Sequence, residues 1–218
     1  MNIISQHSLT LKSNDSLSAE VIKPEVTKAV YVFAHGAGAG MNHSFMKGLS
    51  EELATFGIAT LRYNFLYMEQ KKKRPDFPTV AHLAIAAAID KTRQLFPSVP
   101  LFAGGKSFGG RMTSQYLAAH SISDLKGIVF VGFPLHPAGK PAIDRADHLE
   151  KIKIPMPFLQ GTRDALAEWS LIEGVTQKLP TATVIKLEGA DHSFKASRQN
   201  LLPKLAEEIS LWIANTCN

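Results

Sequence analysis

Cysteine is almost absent from this chain, with Cys217 the single example among 218 residues, so no disulfide can form within it. Long apolar runs are missing as well. No window of about 18 apolar residues could cross a membrane, and the opening MNIISQHSLTLKSND has neither a basic segment nor the apolar stretch of a secretory signal. The expectation is a cytoplasmic protein with no membrane partner. Metal-binding patterns are lacking too: there is no HExxH and there are no paired cysteines. No repeat, low-complexity tract or Gly/Ser linker divides the chain, which reads as a single domain over residues 1–218. Charge is only mildly one-sided, at +5, and its one cluster is KKKR, Lys71 to Arg74. Without a zinc-finger, RRM or KH pattern, that run reads as a solvated loop, and a nucleic-acid partner is not expected.

What is present is enough apolar material, 45% of residues, for one sizeable core. Alternating segments at Ser8 to Lys12 and Leu17 to Ile22 flank the turn-forming SNDS and predict an antiparallel hairpin. Strands and helices then alternate. AVYVFAH (Ala29 to His35) reads as a buried strand, and a helix follows from Ser44 to a C-cap at Gly57. IATLRY from Ile58 leads across a loop to a helix over residues 79–96. LFAGG from Leu101 leads to a helix from Phe108 to about His120. The runs GIVFVGF and MPFLQG follow, then a helix near Leu171 to Lys178, the strand ATVIKL, and a last helix over Leu201 to Asn215. Repeated strand–helix units demand a mostly parallel sheet with helices on both faces.

The segment LFAGGKSFGGRM fits two motifs. Its GKS resembles a phosphate loop, but the glycine needed five positions before the GK glycine is replaced by Pro100, which has no N–H to offer a phosphate. Its G-x-S-x-G frame, Gly105, Ser107 and Gly109, fits a nucleophile elbow, in which small neighbours let a serine occupy a strained strand-to-helix turn. That motif alone is not specific. Its companions matter more: AHGAGAG (Ala34 to Gly40) supplies a loop whose Ala37 N–H can join that of Phe108 as an oxyanion hole. As a dinucleotide loop the same segment fails, because Met41 and His43 stand where a third glycine is required. An acid and a base should follow in that order, each after a late strand. Asp164 follows MPFLQG and His192 follows ATVIKL. Asp191 is the weaker candidate for the acid, because a residue adjacent to the histidine rarely reaches its ring. Of the other histidines, His7, His82 and His120 read as ordinary hairpin or helix residues, and His35 as a structural part of the oxyanion loop.

The segments HGAGAG, RYNFLYMEQ, GGKSFGGRM, VGFPLHPAGKP, FLQGTRDAL and ADHSFK together resemble a small cap-less branch of the α/β-hydrolases, the dienelactone hydrolase-like and testis-expressed protein 30-like proteins. The resemblance implies an eight-stranded hydrolase sheet without a cap, with Ser107 as nucleophile, His192 as base and Asp164 as its orienter. Leu66 and Phe108 depart from the branch, which has Pro and Met there, and Phe108 is expected to narrow the acyl site. Dienelactone hydrolase proper uses a cysteine nucleophile, so its substrate does not carry over. The expected activity is cofactor-free cleavage of a small ester, thioester or lactone. The partner is a small-molecule acyl substrate, and a homodimer is left open. The alternative is a binding or scaffold protein that has kept the constellation as a remnant, since eukaryotic members of the branch include a chromatin-complex subunit. Two further expectations follow from local sequence. Lys106, Arg111 and Arg163 flank the nucleophile and the acid and could favour an anionic substrate. Between GIVFVGF and MPFLQG, the proline-rich segment has room only for a short helix around Arg145 to Ile152, which predicts an open site and short acyl groups.

Overall fold

The computed structural model describes residues 1–197 and 199–217. Its eight-stranded sheet comprises β1 (Ile3–Thr10), β2 (Ser16–Lys23), β3 (Ala29–Ala34), β4 (Ile58–Tyr63), β5 (Leu101–Lys106), β6 (Leu125–Val131), β7 (Met156–Gly161) and β8 (Ala182–Leu187), in spatial order β1-β2-β4-β3-β5-β6-β7-β8. β2 runs antiparallel to both β1 and β4, and every other pairing is parallel. The α/β-hydrolase architecture expected from the sequence is therefore present. The hairpin is displaced towards the N-terminus, with β1 spanning Ile3–Thr10 rather than Ser8 to Lys12. Its turn closes around Asn14, at φ 66°, a left-handed conformation that asparagine tolerates.

Helices α1 (Ser44–Thr55), α2 (Leu66–Glu69), α3 (Pro78–Leu95), α4 (Phe108–Ala119), α5 (Trp169–Thr176) and α6 (Leu202–Cys217) cover the sheet. Alternation along β3 shows how its two faces divide. Val30 and Val32 pack with Ala84, Ile85 and Met112 from α3 and α4, while Tyr31 and Phe33 pack with Leu49, Leu53, Leu205 and Ile209 from α1 and α6. Full burial of each such side chain contributes about 1.5–3 kcal/mol. The one-turn α2 lies in what the sequence presented as loop. A two-stranded ribbon, β9 (Lys195–Ala196) with β10 (Gln199–Asn200), was also not foreseen. Strands this short carry no readable period.

The connection from β6 to β7 holds one 3₁₀ helix, Asp144–Lys151, and no cap domain. At the centre of the sheet, β3 has β4 on one side and β5 on the other. The chain thus leaves β3 and β5 in opposite directions, and the crevice between their C-terminal ends is where open α/β sheets receive ligands.

Candidate active site

The turn between β5 and α4 contains Ser107 at φ 49° and ψ −116°, a sparsely populated conformation for a residue with a side chain. Its neighbours must be small for a physical reason. A Cβ on Gly109 would lie 2.6 Å from the carbonyl oxygens of both Ala34 and His35, and one on Gly105 would collide with the Ala34 carbonyl. The helix therefore starts hard against the end of β3. Phe108 occupies its first position, where a backbone N–H has no intrahelical acceptor.

The loop after β3 is held from several directions. Phe65 N–H donates to His35 Nε2 at 3.1 Å, so the proton of this ring resides on Nδ1, which donates to the Gly36 carbonyl at 2.8 Å. Burial pulls the His35 pKa down to about 4, so the ring stays neutral at pH 7 and keeps this pattern. Further along, Met41 N–H donates to Asn64 Oδ1 at 2.9 Å, and buried Arg62, paired with Glu20, donates to the Met41 carbonyl at 2.9 Å. These contacts bring Gly36 beside Ser107 and place Ala37 with Ser107 on the walls of two cavities.

Asp164 and His192, separated along the chain by α5 and β8, form a line with Ser107. Ser107 Oγ lies 2.8 Å from His192 Nε2, and His192 Nδ1 lies 2.7 Å from Asp164 Oδ2. Asp164 is 3% exposed, and its carboxylate has two further donors: Gln160 Nε2 to Oδ2 at 2.5 Å and Leu166 N–H to Oδ1 at 2.8 Å. Gln160 in turn accepts from Phe133 N–H at 2.9 Å. Nothing in the local sequence marks this glutamine, since inside a strand it looks like any polar interruption. Asp191 faces elsewhere and accepts from the N–H groups of Ser193 and Lys195, closing its own turn. His136, also unanticipated, repeats the His35 pattern on the acid side: Glu168 N–H donates to its Nε2 at 3.1 Å and its Nδ1 donates to the Pro137 carbonyl at 2.9 Å.

The three cations expected to act together do not converge. Arg163 is exposed. Lys106 turns towards the base: its Nζ donates to the His192 carbonyl at 2.6 Å and sits 5.1 Å from the centre of the Phe194 ring. Burial pulls its pKa down to about 8, partly opposed by Asp164 and Asp191. Arg111 is on the opposite side of Ser107, in the second cavity. Phe108 packs edge-on against Phe65 and Tyr67, with ring centres 5.3 and 6.4 Å away, and it lines that second cavity rather than the first.

The first cavity, of about 530 Å³, lies between the start of α1 and the β9–β10 ribbon, with Phe45, Phe194, Leu201 and Leu202 among its apolar walls. The second, of about 380 Å³, is bounded by Arg74, Phe77, Phe108, Arg111, Pro134 and Arg145. Among the described residues no group of three or more His, Cys, Asp or Glu side chains is arranged to hold a metal, and no helix is long and apolar enough to cross a membrane.

Residues 27–214 match the model of a family described as alpha/beta hydrolase domain. Solved structures share the fold at low identity. A dienelactone hydrolase from Anabaena variabilis superposes with a TM-score of 0.81 at 18% identity, over 98% of either chain. Est1E from Butyrivibrio proteoclasticus gives 0.76 at 14% identity, over 97% of this chain and 98% of that one. An α/β serine hydrolase without a lid from Xanthomonas campestris gives 0.75 at 18% identity, over 97% of this chain and 94% of that one.

Proposed function

Because this chain belongs to the α/β-hydrolase domain family, we propose that it is a serine hydrolase that cleaves a small ester, thioester or lactone through an acyl-enzyme. The observation that carries this reading is the unbroken relay from Ser107 Oγ through the two His192 nitrogens to Asp164, at 2.8 and 2.7 Å. A serine hydroxyl is a weak nucleophile at neutral pH and needs an adjacent base. Asp164 accepts from Nδ1, which leaves Nε2 free to take the serine proton, and the negative carboxylate stabilises the imidazolium that results. Ser107 Oγ then bonds to the carbonyl carbon. The oxyanion is received by the N–H groups of Ala37 and Phe108, each worth roughly 2.7–4 kcal/mol in comparable sites. Collapse expels the alcohol, thiol or tethered hydroxyl, which takes its proton from Nε2. Water, deprotonated by the same nitrogen, attacks the acyl group, and the proton returns to Ser107 as the acid departs.

The apolar cavity beside His192 is the natural place for the acyl group. Each methylene enclosed there gains about 0.8 kcal/mol, and a chain that runs past the walls gains nothing more. Because the β6–β7 connection holds only a 3₁₀ helix and no cap to close the site, expected substrates carry short acyl groups, from acetyl to butyryl, or are compact lactones. The test is a panel of esters, thioesters and lactones, with p-nitrophenyl esters from two to twelve carbons kept below their micellar concentrations and Ser107→Ala as control. The expected result is turnover by the wild type alone, with kcat/KM highest at four carbons or fewer. A rise continuing past eight carbons would refute the short-acyl assignment, and equal turnover by Ser107→Ala would refute the nucleophile.

A further inference from the structure

The second cavity at Ser107 contains three arginines from three separate elements: Arg74 from the loop before α3, Arg111 from the second turn of the α4 elbow helix, and Arg145 from the 3₁₀ helix after β6. Among the described residues none of the three forms an ion pair, whereas Arg62 pairs with Glu20 and Arg93 with both Asp90 and Asp124. Arg145 makes only a long contact, 3.4 Å, to the Pro134 carbonyl, and Arg74 stacks over the Phe77 ring at 5.0 Å. The Nε of Arg111, like that of Arg62, is buried without an acceptor among the described residues, an arrangement that costs about 1–3 kcal/mol. Asp76, the single acid on these walls, directs Oδ2 to Tyr67 N–H instead. Nearby positive charge is felt by its surroundings. Burial and then the charge of Arg145 hold the Arg111 pKa down, partly opposed by Asp144, and burial and then Arg111 hold His148 at about 4, neutral against Ser114 Oγ.

We infer that this cavity is an anion subsite, in which Arg111, Arg145 and Arg74 receive a carboxylate or phosphate group on the substrate while its carbonyl lies at Ser107. The inference rests on Ser107 being the nucleophile. Guanidinium forks match the oxygen pairs of either oxyanion, and an opening lined by cations without ion-pair partners is complementary to such a group. Because the anion would be held in ground state and transition state alike, its loss should appear in KM more than in kcat.

The experiment compares 4-acetoxybenzoate with its neutral methyl ester, and 4-acetoxyphenyl phosphate as the phosphate arm, in the wild type and in Arg145→Gln, Arg111→Gln and the exposed control Lys178→Gln. Calorimetric binding of 4-acetoxybenzoate to Ser107→Ala provides a readout that needs no turnover. The expected result is a wild-type preference for an anionic ester over the methyl ester of roughly ten- to hundredfold in kcat/KM. Arg145→Gln and Arg111→Gln should lose most of that ratio through KM, Lys178→Gln should keep it, and Ser107→Ala should bind the benzoate in a salt-sensitive manner. Whichever of the two anionic esters is favoured identifies the oxyanion. Equal kcat/KM for anionic and neutral esters, or a preference that survives Arg145→Gln and Arg111→Gln, would overturn the subsite while leaving the hydrolase reading intact. Binding to Ser107→Ala without turnover of any ester by the wild type would leave the arginines as an anion-binding site but overturn the hydrolase reading and, with it, their role as a substrate subsite.

Discussion

The two cavities that share Ser107 and Ala37 are built from contrasting materials. On the His192 side the walls are aromatic and aliphatic, and their buried cation, Lys106, is committed to a backbone carbonyl and two rings. On the Arg111 side, among the described residues, three guanidiniums stand without ion-pair partners. A charge already given a protein acceptor is part of the scaffold, whereas unpaired charges at a cavity wall are available to a ligand. Under the proposed hydrolase reading, the contrast would divide proton transfer and acyl packing on one side of Ser107 from recognition on the other. Changes on the first side should therefore act on kcat or on folding, and changes on the second on KM for anions.

The largest expected effect on the His192 side comes from Asp164→Asn. An amide there can still accept from Leu166 N–H, but it no longer enforces the tautomer that leaves Nε2 free, and kcat should fall roughly 10³- to 10⁴-fold with KM little changed. A loss below tenfold would mean that another acid orients His192 and would break the division between the two sides.

A smaller effect separates Lys106 from the arginines. Its folded pKa, about 8, lies below its ordinary 10.5, so between these values the unfolded chain binds more protons than the folded one. Stability from this group therefore rises as pH increases through that window, and the cost of burying the ammonium is fully present below pH 8. Denaturant titrations from pH 7 to 10.5 should show wild type gaining stability relative to Lys106→Met. Arg145→Gln should show no such trend. A flat difference for Lys106→Met would mean that its ammonium is solvated and that the two sides are less distinct than their contacts indicate.

Much of the frame was legible because it depends on local chemistry. The strand–helix alternation follows from apolar runs and periodicity, and Gly105 and Gly109 are dictated by backbone closeness that no side chain could survive. Asp164 and His192 could be chosen because each follows a strand end, in an order that the fold constrains. The arginine convergence could not be read this way. Arg74 lies in a basic run that looks like solvated loop, and Arg145 in a segment notable only for its prolines. What brings them to Arg111 is the path of two crossovers, which leaves no period in the sequence. Lys106 was misjudged for a related reason. Adjacency to Ser107 along a strand places its side chain on the opposite side of that serine from Arg111, and contact with Phe194 accompanies its turn to the His192 carbonyl. Gln160 and His136 were missed because a buried polar residue declares its role only through its partners.

The central claim, that Ser107 is an activated nucleophile and not a remnant in a binding protein, is tested most directly by covalent labelling with a fluorophosphonate followed by peptide mass analysis. Wild type should be modified at Ser107 and at no other serine, and folded Ser107→Ala should not be labelled. A folded wild type that stays unlabelled, or labelling that persists in Ser107→Ala, would contradict it.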